Sequence, residues 1–158
     1  KMTSSHIQLL VTSSGEPAGT EPVHAVLLGP NRYRLLWSPG FVLGVAAGDE
    51  VELLGPSGAF RVVCRSGNVA VQLFSTAPVA PHLGALEEAV SALGGTVDGS
   101  IERGVVCTLH HSVGFPAIEA LFNAWVSSHP GWEWGYGNVF DPTDGVTPLG
   151  WWHSDGTA

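Results

Sequence analysis

In the second half of the chain, the spacing of apolar residues switches several times between the pattern of a strand and the pattern of a helix. Alternating or continuous apolar stretches predict strands at residues 69–74, 96–101, 105–111 and 132–140. Apolar residues spaced three and four apart predict one helix opened by Pro81 and another opened by Pro116. The resulting order, strand–helix–strand–strand–helix–strand, is that of a ferredoxin-like βαββαβ unit.

The first half of the chain is β-rich instead. Gly- and Pro-containing turns separate apolar or alternating stretches, which predict strands at residues 6–12, 22–28, 32–37, 50–54 and 59–65. Residues 13–20 are predicted to form a polar loop. Several short strands at this spacing favour a small barrel or a curled sheet.

These patterns predict an α+β protein with a β-rich, barrel-like domain at residues 6–66 and a ferredoxin-like domain at residues 67–140. A tail rich in Pro, Gly and Trp follows at residues 141–158. Its adjacent Trp151 and Trp152 would leave much apolar surface in water, at about 25 cal/mol per Å². We therefore expect the tail to dock, either on its own chain as a lid or on a neighbouring copy.

The excess of acidic over basic residues limits the kinds of partner that we expect this protein to bind. Six Lys and Arg stand against fourteen Asp and Glu, for a formal net charge of −8, and no Lys or Arg follows Arg103. Nucleic acid and anionic membrane surfaces attract basic faces, so neither is an expected partner. No apolar stretch is long enough to span a bilayer, and the first twenty residues lack a signal-peptide pattern, so a cytoplasmic protein is expected.

The two cysteines, Cys64 and Cys107, lie in apolar strands and are expected to be buried thiols.

Successive side chains of a strand point to opposite faces of its sheet, and this alternation indicates a candidate ligand face in the predicted ferredoxin-like domain. Val69, Val71 and Leu73 are expected to face the helices, as are alternate residues of the 105–111 strand. With the aromatics of the last strand pointing to the opposite, open face, that face collects Gln72, Phe74, Thr108, His110, Trp134 and Tyr136. Polar groups among aromatics are typical of a small-molecule pocket. Alternatively, this face packs on the first domain or on a second copy in a homodimer.

Four arginines offer a second candidate site. Alternate positions place Arg32 and Arg34 on one face of a strand, and Arg61 and Arg65 on one face of another. If these strands are neighbours, the guanidinium groups could bind a carboxylate or phosphate in a bidentate manner. The alternative is a solvated face on which they pair with Glu21, Glu50 or Glu52.

No catalytic or cofactor motif accompanies these surfaces. His110 is a candidate general acid or base, although the sequence favours a hydrogen-bonded structural histidine. His110 and its neighbour His111 point to opposite faces of a strand, and no spacing typical of a metal site or phosphate loop exists. Neither a metal nor a cofactor is therefore expected.

An ordered set of short motifs resembles a known bacterial family, the one catalogued as domain of unknown function 4265. The motifs are residues 32–36 (RYRLL), 38–41 (SPGF), 44–51 (GVAAGDEV), 61–68 (RVVCRSGN), 92–94 (ALG) and 131–134 (GWEW). The resemblance covers about residues 6–140. Because the family has no established activity, it supports the fold and implies no mechanism.

Three function classes remain open on the sequence. The first is a non-enzymatic binding or regulatory protein that recognises a small molecule or a protein through the aromatic sheet face. The second is a cofactor-independent pathway enzyme of the cyclase or isomerase type, with His110 as acid or base. The third is an assembly role through sheet-to-sheet dimerisation. The absence of a catalytic motif and the acidic balance favour the first.

Overall fold

The computed structural model describes residues 4–154, which form two antiparallel sheets and two α-helices. The first sheet contains five strands in chain order, namely β1 (Ser4–Ser13), β2 (Glu16–Gly29), β3 (Arg32–Leu35), β4 (Glu50–Leu53) and β5 (Phe60–Cys64). The polar loop predicted at residues 13–20 is wrong, because β2 already begins at Glu16. The chain reverses at Ser14 and Gly15, whose positive φ angles of 52° and 81° suit a two-residue hairpin turn.

The five-stranded sheet curls but does not close. Leu10 N donates to Gly58 O at 2.9 Å, which brings the edge strand β1 against the turn between β4 and β5. β1 and β5 are not paired in the part of the chain that the structure describes. The sheet is therefore open rather than a barrel. Its concave side buries a small core, including Ile7, Leu9, Val23, Ala25, Leu35 and Val51.

The second sheet follows, with its helices packed on one face. Its elements are β6 (Asn68–Ser75), α1 (Leu83–Ser91), β7 (Thr96–Ile101), β8 (Gly104–His110), α2 (Phe115–Ser128) and β9 (Trp132–Tyr136). The strand order is β7-β8-β6-β9, and all neighbours are antiparallel. The predicted α+β class is confirmed. None of the helices formed by the described residues is long and apolar enough to cross a membrane.

The central strand β6 is buried on both faces. Val69, Val71 and Leu73 pack with the helices. Ala70 and Gln72 are also buried, and Gln72 is covered by the connection between β3 and β4. Gln72 Nε2 lies 3.2 Å from each of two carbonyl oxygens of that connection, Pro39 O and Val42 O. The face expected to be open is thus largely covered by the first half of the chain. It remains accessible only at one end of the strands.

The two cysteines differ in environment. Cys107 is buried on the helix side of β8, as expected, but Cys64 is exposed because it ends the edge strand β5. Burial, with a smaller contribution from the nearby Asp98 charge, raises the pKa of the Cys107 thiol to about 12. The prediction that both thiols are buried is therefore wrong for Cys64.

This contrast predicts unequal thiol reactivity. A thiol-specific chromogenic reagent at neutral pH should modify Cys64 in the folded protein and reach Cys107 only after unfolding, because the thiolate is the reactive species. Cys64→Ser should abolish the reaction of the folded chain. Rapid modification of Cys107 in native buffer would contradict this assignment.

Candidate functional site

A cleft of about 220 Å³ opens where the two sheets meet. One wall is the segment of β2 that starts at Glu21, and the rim is the connection after β3, from Trp37 to Phe41. The opposite wall is formed by β7 and the start of β8, with Phe74 of β6 beside β8. The cleft therefore occupies the accessible end of the sheet face that points away from the helices.

Large apolar side chains stand in solvent around this cleft. Trp37, Phe41 and Ile101 are 51%, 43% and 56% exposed, and Phe41 lies 5.8 Å from Phe74 between ring centres. The strand predicted at residues 32–37 ends at Leu35, so Trp37 lies in the connection that follows β3. Exposed apolar groups gathered at one concavity are characteristic of an interaction site.

The polar floor of the cleft is a chain of hydroxyl groups that ends on a carboxylate. Thr108 donates to Asp98 Oδ2 at 2.6 Å, so its oxygen accepts from the Ser38 hydroxyl, also at 2.6 Å. Ser38 Oγ in turn accepts from Ala47 N at 2.9 Å. Because each hydroxyl has one proton, its donation from Thr108 to Asp98 sets the direction of the whole chain. The network joins the two sheets directly beneath the cleft.

A β-bulge positions Asp98. The register of β7 against β8 shifts between Val97 and Gly99, which leaves Asp98 as the extra residue. Its Oδ2 also accepts from Ser38 N at 2.8 Å, and its Oδ1 accepts from the Thr96 hydroxyl at 2.6 Å. Sequence reasoning missed Asp98 and Ser38. Gly99 within a strand was the available signal, since an interior glycine often marks a bulge.

A second carboxylate, Glu21, holds the rim. Its Oε2 accepts from Gly40 N at 2.8 Å, and its Oε1 accepts from Phe41 N and Val42 N at 2.9 Å each. Three successive backbone N–H groups therefore converge on one side chain of β2. This arrangement fixes the loop that presents Phe41.

The predicted ligand residues divide between the two sides of the second sheet. Gln72 and Thr108 lie on the side of the first sheet, where they bind the covering connection, and Phe74 lines the cleft. Trp134 and Tyr136 face the helices, so the orientation assumed for β9 is wrong. The reason is register: Tyr136 stands opposite Val71 and Trp134 opposite Leu73, and directly opposed residues share a face.

Trp134 and Tyr136, whose orientation was predicted wrongly, form hydrogen bonds to α2. Trp134 Nε1 donates to Asn123 Oδ1, and the Tyr136 hydroxyl donates to Glu119 Oε2, both at 2.9 Å. Burial, followed by the interaction with Glu119, raises the pKa of Tyr136 above its usual value. These side chains stabilise the contact between β9 and α2.

His110 lies at the far end of β8 from the cleft. It stands opposite Asn68, whereas Gly104 at the cleft end stands opposite Phe74, a separation of about 20 Å along the strand. His110 Nδ1 accepts from Ser112 N at 3.2 Å and lies 2.8 Å from Ser112 Oγ. The ring also covers Gly67, where a Cβ would meet His110 Nε2 at 2.6 Å. These contacts suit a structural cap, and an acid or base role for His110 stays a prediction.

The four arginines do not form one patch, because β4 separates β3 from β5. Arg32 lies 3.7 Å from Glu50, and Arg61 lies 2.6 Å from Glu52. Arg34 lies opposite Glu50 in the strand register. Arg65 turns instead toward Asp49 and donates to Gly44 O. The predicted convergence of Arg32, Arg34, Arg61 and Arg65 is therefore wrong.

The predicted tail is described up to residue 154, and this part packs near Arg65 and α2 rather than over the cleft; residues 155–158 of the tail lie outside the described residues. Trp151 Nε1 donates to Asn138 O at 2.9 Å, and the Arg65 guanidinium lies 5.8 Å from the Trp151 ring centre. Trp152 contacts Phe115 with ring centres 5.0 Å apart.

Within residues 4–154, no group of three or more His, Cys, Asp or Glu side chains is arranged to hold a metal ion.

Together, these features define an α+β protein of two antiparallel sheets and two helices, with a small cleft between the sheets. Residues 21–134 match the family described as "Domain of unknown function (DUF4265)", and the chain belongs to that family. No curated protein matches the chain.

A solved structure also resembles the fold. It is described as a novel crystal structure of a hypothetical protein from Neisseria gonorrhoeae, with a TM-score of 0.65 and 12% sequence identity. The similarity covers 85% of this chain and 94% of that one. At this identity the likeness concerns the fold alone.

Proposed function

We propose that this protein is a non-enzymatic binding protein whose ligand is a small organic molecule held in the cleft between the sheets. The observation that carries the proposal is the exposure of Trp37, Phe41 and Ile101 around one concavity. Leaving such groups in water costs about 25 cal/mol per Å² of apolar surface, a cost that a bound molecule would offset.

The cleft is also built to keep its shape. Glu21 fixes the loop at one rim through three backbone N–H groups. Ser38, Thr108 and Asp98 fix the floor through a directional hydrogen-bond chain. A pre-organised site loses little conformational freedom on binding, which favours affinity. The volume of about 220 Å³ suits a molecule with one or two rings.

We further infer that β6 to β9 with the two helices form a ferredoxin-like unit. The order β7-β8-β6-β9 supports this, because β8 lies between the two strands that α1 connects. In this arrangement the helices cover one sheet face and leave the other for a partner. The first sheet takes most of that other face, and the ligand would take the remainder.

Substitution of the rim aromatics provides the test. In an NMR screen of small aromatic compounds against the full chain, bound compounds should shift the Trp37 indole N–H signal. Affinities of the variants are measured from the ligand signals, because Trp37→Ala lacks the indole. Trp37→Ala and Phe41→Ala should each weaken binding about tenfold or more, as expected for central aromatic contacts. Leu54→Ala is the matched control, because Leu54 is 57% exposed but does not line the cleft. Equal weakening by all three variants would refute the cleft as the site.

A further inference from the structure

We propose that the ligand of this cleft is an organic cation, that is, a small molecule whose apolar part carries a protonated amine or a quaternary ammonium group. The inference rests on the proposed binding function and adds the chemical class of the ligand. It follows from the charges and the rings that line the cleft.

The charges that line the cleft have one sign. Among the described residues, its lining includes the carboxylates of Glu21 and Asp98, the imidazole of His24, and no Lys or Arg. The hydrogen bonds given above for both carboxylates come from backbone N–H or hydroxyl groups, which carry no formal charge. Such neutral donors orient each carboxylate but leave its negative charge in place. A cation in the cleft would therefore gain Coulomb energy from two oriented anions.

The aromatic rings favour the same sign of charge. Trp37, Phe41 and Phe74 all line the cleft. The face of an aromatic ring carries negative potential, and Trp binds cations best of the three ring types. An anionic ligand would meet both the ring faces and the carboxylates, and each would repel it. A neutral aromatic ligand would gain only the apolar contacts.

Three probes of similar size and different charge test the inference on the full chain. They are 2-phenylethylamine, 2-phenylethanol and 3-phenylpropanoate, with dissociation constants measured from the Trp37 indole N–H signal at neutral pH. The amine should bind about tenfold tighter than the alcohol, and the carboxylate should not bind detectably. Raising NaCl from about 0.02 M to about 0.5 M should reduce the advantage of the amine, because salt screens the carboxylates.

A pair of charge variants separates the electrostatic contribution from a structural one. Glu21→Gln should lower the amine-to-alcohol affinity ratio, whereas Glu87→Gln should leave it unchanged. Glu87 is an exposed residue of α1 that does not line the cleft, and its substitution removes the same charge. Damage to the loop in Glu21→Gln would weaken the binding of both probes alike, so the ratio of their affinities is the quantity compared.

The outcomes distinguish the two proposals. If the alcohol or the carboxylate binds as tightly as the amine, the cation inference is wrong and binding in the cleft stands. If none of the three probes shifts the Trp37 signal, both proposals are wrong. A preference for the amine that salt and Glu21→Gln both reduce would support the inference.

Discussion

Replacement of Asp49 by alanine is expected to lower the free energy of unfolding by about 3–5 kcal/mol, the cost of breaking a buried charge pair. Asp49 is 1% exposed, and its carboxylate accepts from Ala46 N, Ser66 N and Ser66 Oγ at 2.9, 2.8 and 3.0 Å. The Arg65 guanidinium lies 3.7 Å away. Burial raises the pKa of Asp49 despite these contacts. The alanine variant would leave Ala46 N and Ser66 N without this acceptor and the half-buried Arg65 without its counter-charge. Urea unfolding measures the loss.

Asp144→Ala is the matched control for this prediction. The Asp144 carboxylate also accepts three hydrogen bonds, from Val146 N, Thr147 N and the Thr147 hydroxyl, but it is exposed. Water replaces such bonds readily, so its substitution should change stability much less. Equal losses in the two variants would show that burial does not set the cost at Asp49.

The order of elements in the second half could be predicted from sequence because its signals are local. Pro81 and Pro116 lie at the starts of the two helical regions, and the 96–101 strand was placed at the observed bounds. The orientation of β9 could not be predicted in the same way. Alternation shows that Trp134 and Tyr136 share a face, but only their pairing with β6 decides which face.

Features that depend on distant pairing were missed for the same reason. Whether the first sheet closes depends on β1 meeting β5, which no local pattern specifies. Pro17 and Gly19 suggested a loop, yet both lie in β2, where a long hairpin with β1 overrides their low strand propensity. The cleft itself joins β2, the connection after β3, and β7. Its key residues Glu21, Trp37 and Asp98 therefore carry no common motif.

The segment after β9 is fastened to β6 by one buried amide. Asn138 is fully buried; its Oδ1 accepts from Ala70 N and its Nδ2 donates to Asn68 O, both at 2.9 Å. The adjacent Gly137 N donates to Ala70 O at 2.7 Å. The Asn138 side chain thus replaces the backbone pairing that an additional strand residue would provide. This role requires one acceptor, for Ala70 N, and one donor, for Asn68 O.

Asn138→Asp should therefore destabilise the protein by about 3 kcal/mol or more at neutral pH, because a second acceptor would face Asn68 O in a buried site. In the fold the new carboxyl group fits only when protonated, with its hydroxyl donating to Asn68 O. Its folded pKa should thus exceed the unfolded value of about 3.9. Since the folded state retains the proton more strongly, stability is retained below the unfolded pKa and lost as the pH rises through the folded pKa.

The measurement is the stability difference from wild type, taken by urea unfolding from about pH 4 to about pH 8. The deficit of Asn138→Asp should grow across this range. Asn123→Asp is the control, because the Oδ1 of exposed Asn123 accepts from Trp134 Nε1, and aspartate keeps that acceptor. Its deficit should stay small at every pH. A deficit of Asn138→Asp that does not change with pH would mean that Asn68 O does not require the donor, and that the segment after β9 is held by its backbone contacts alone.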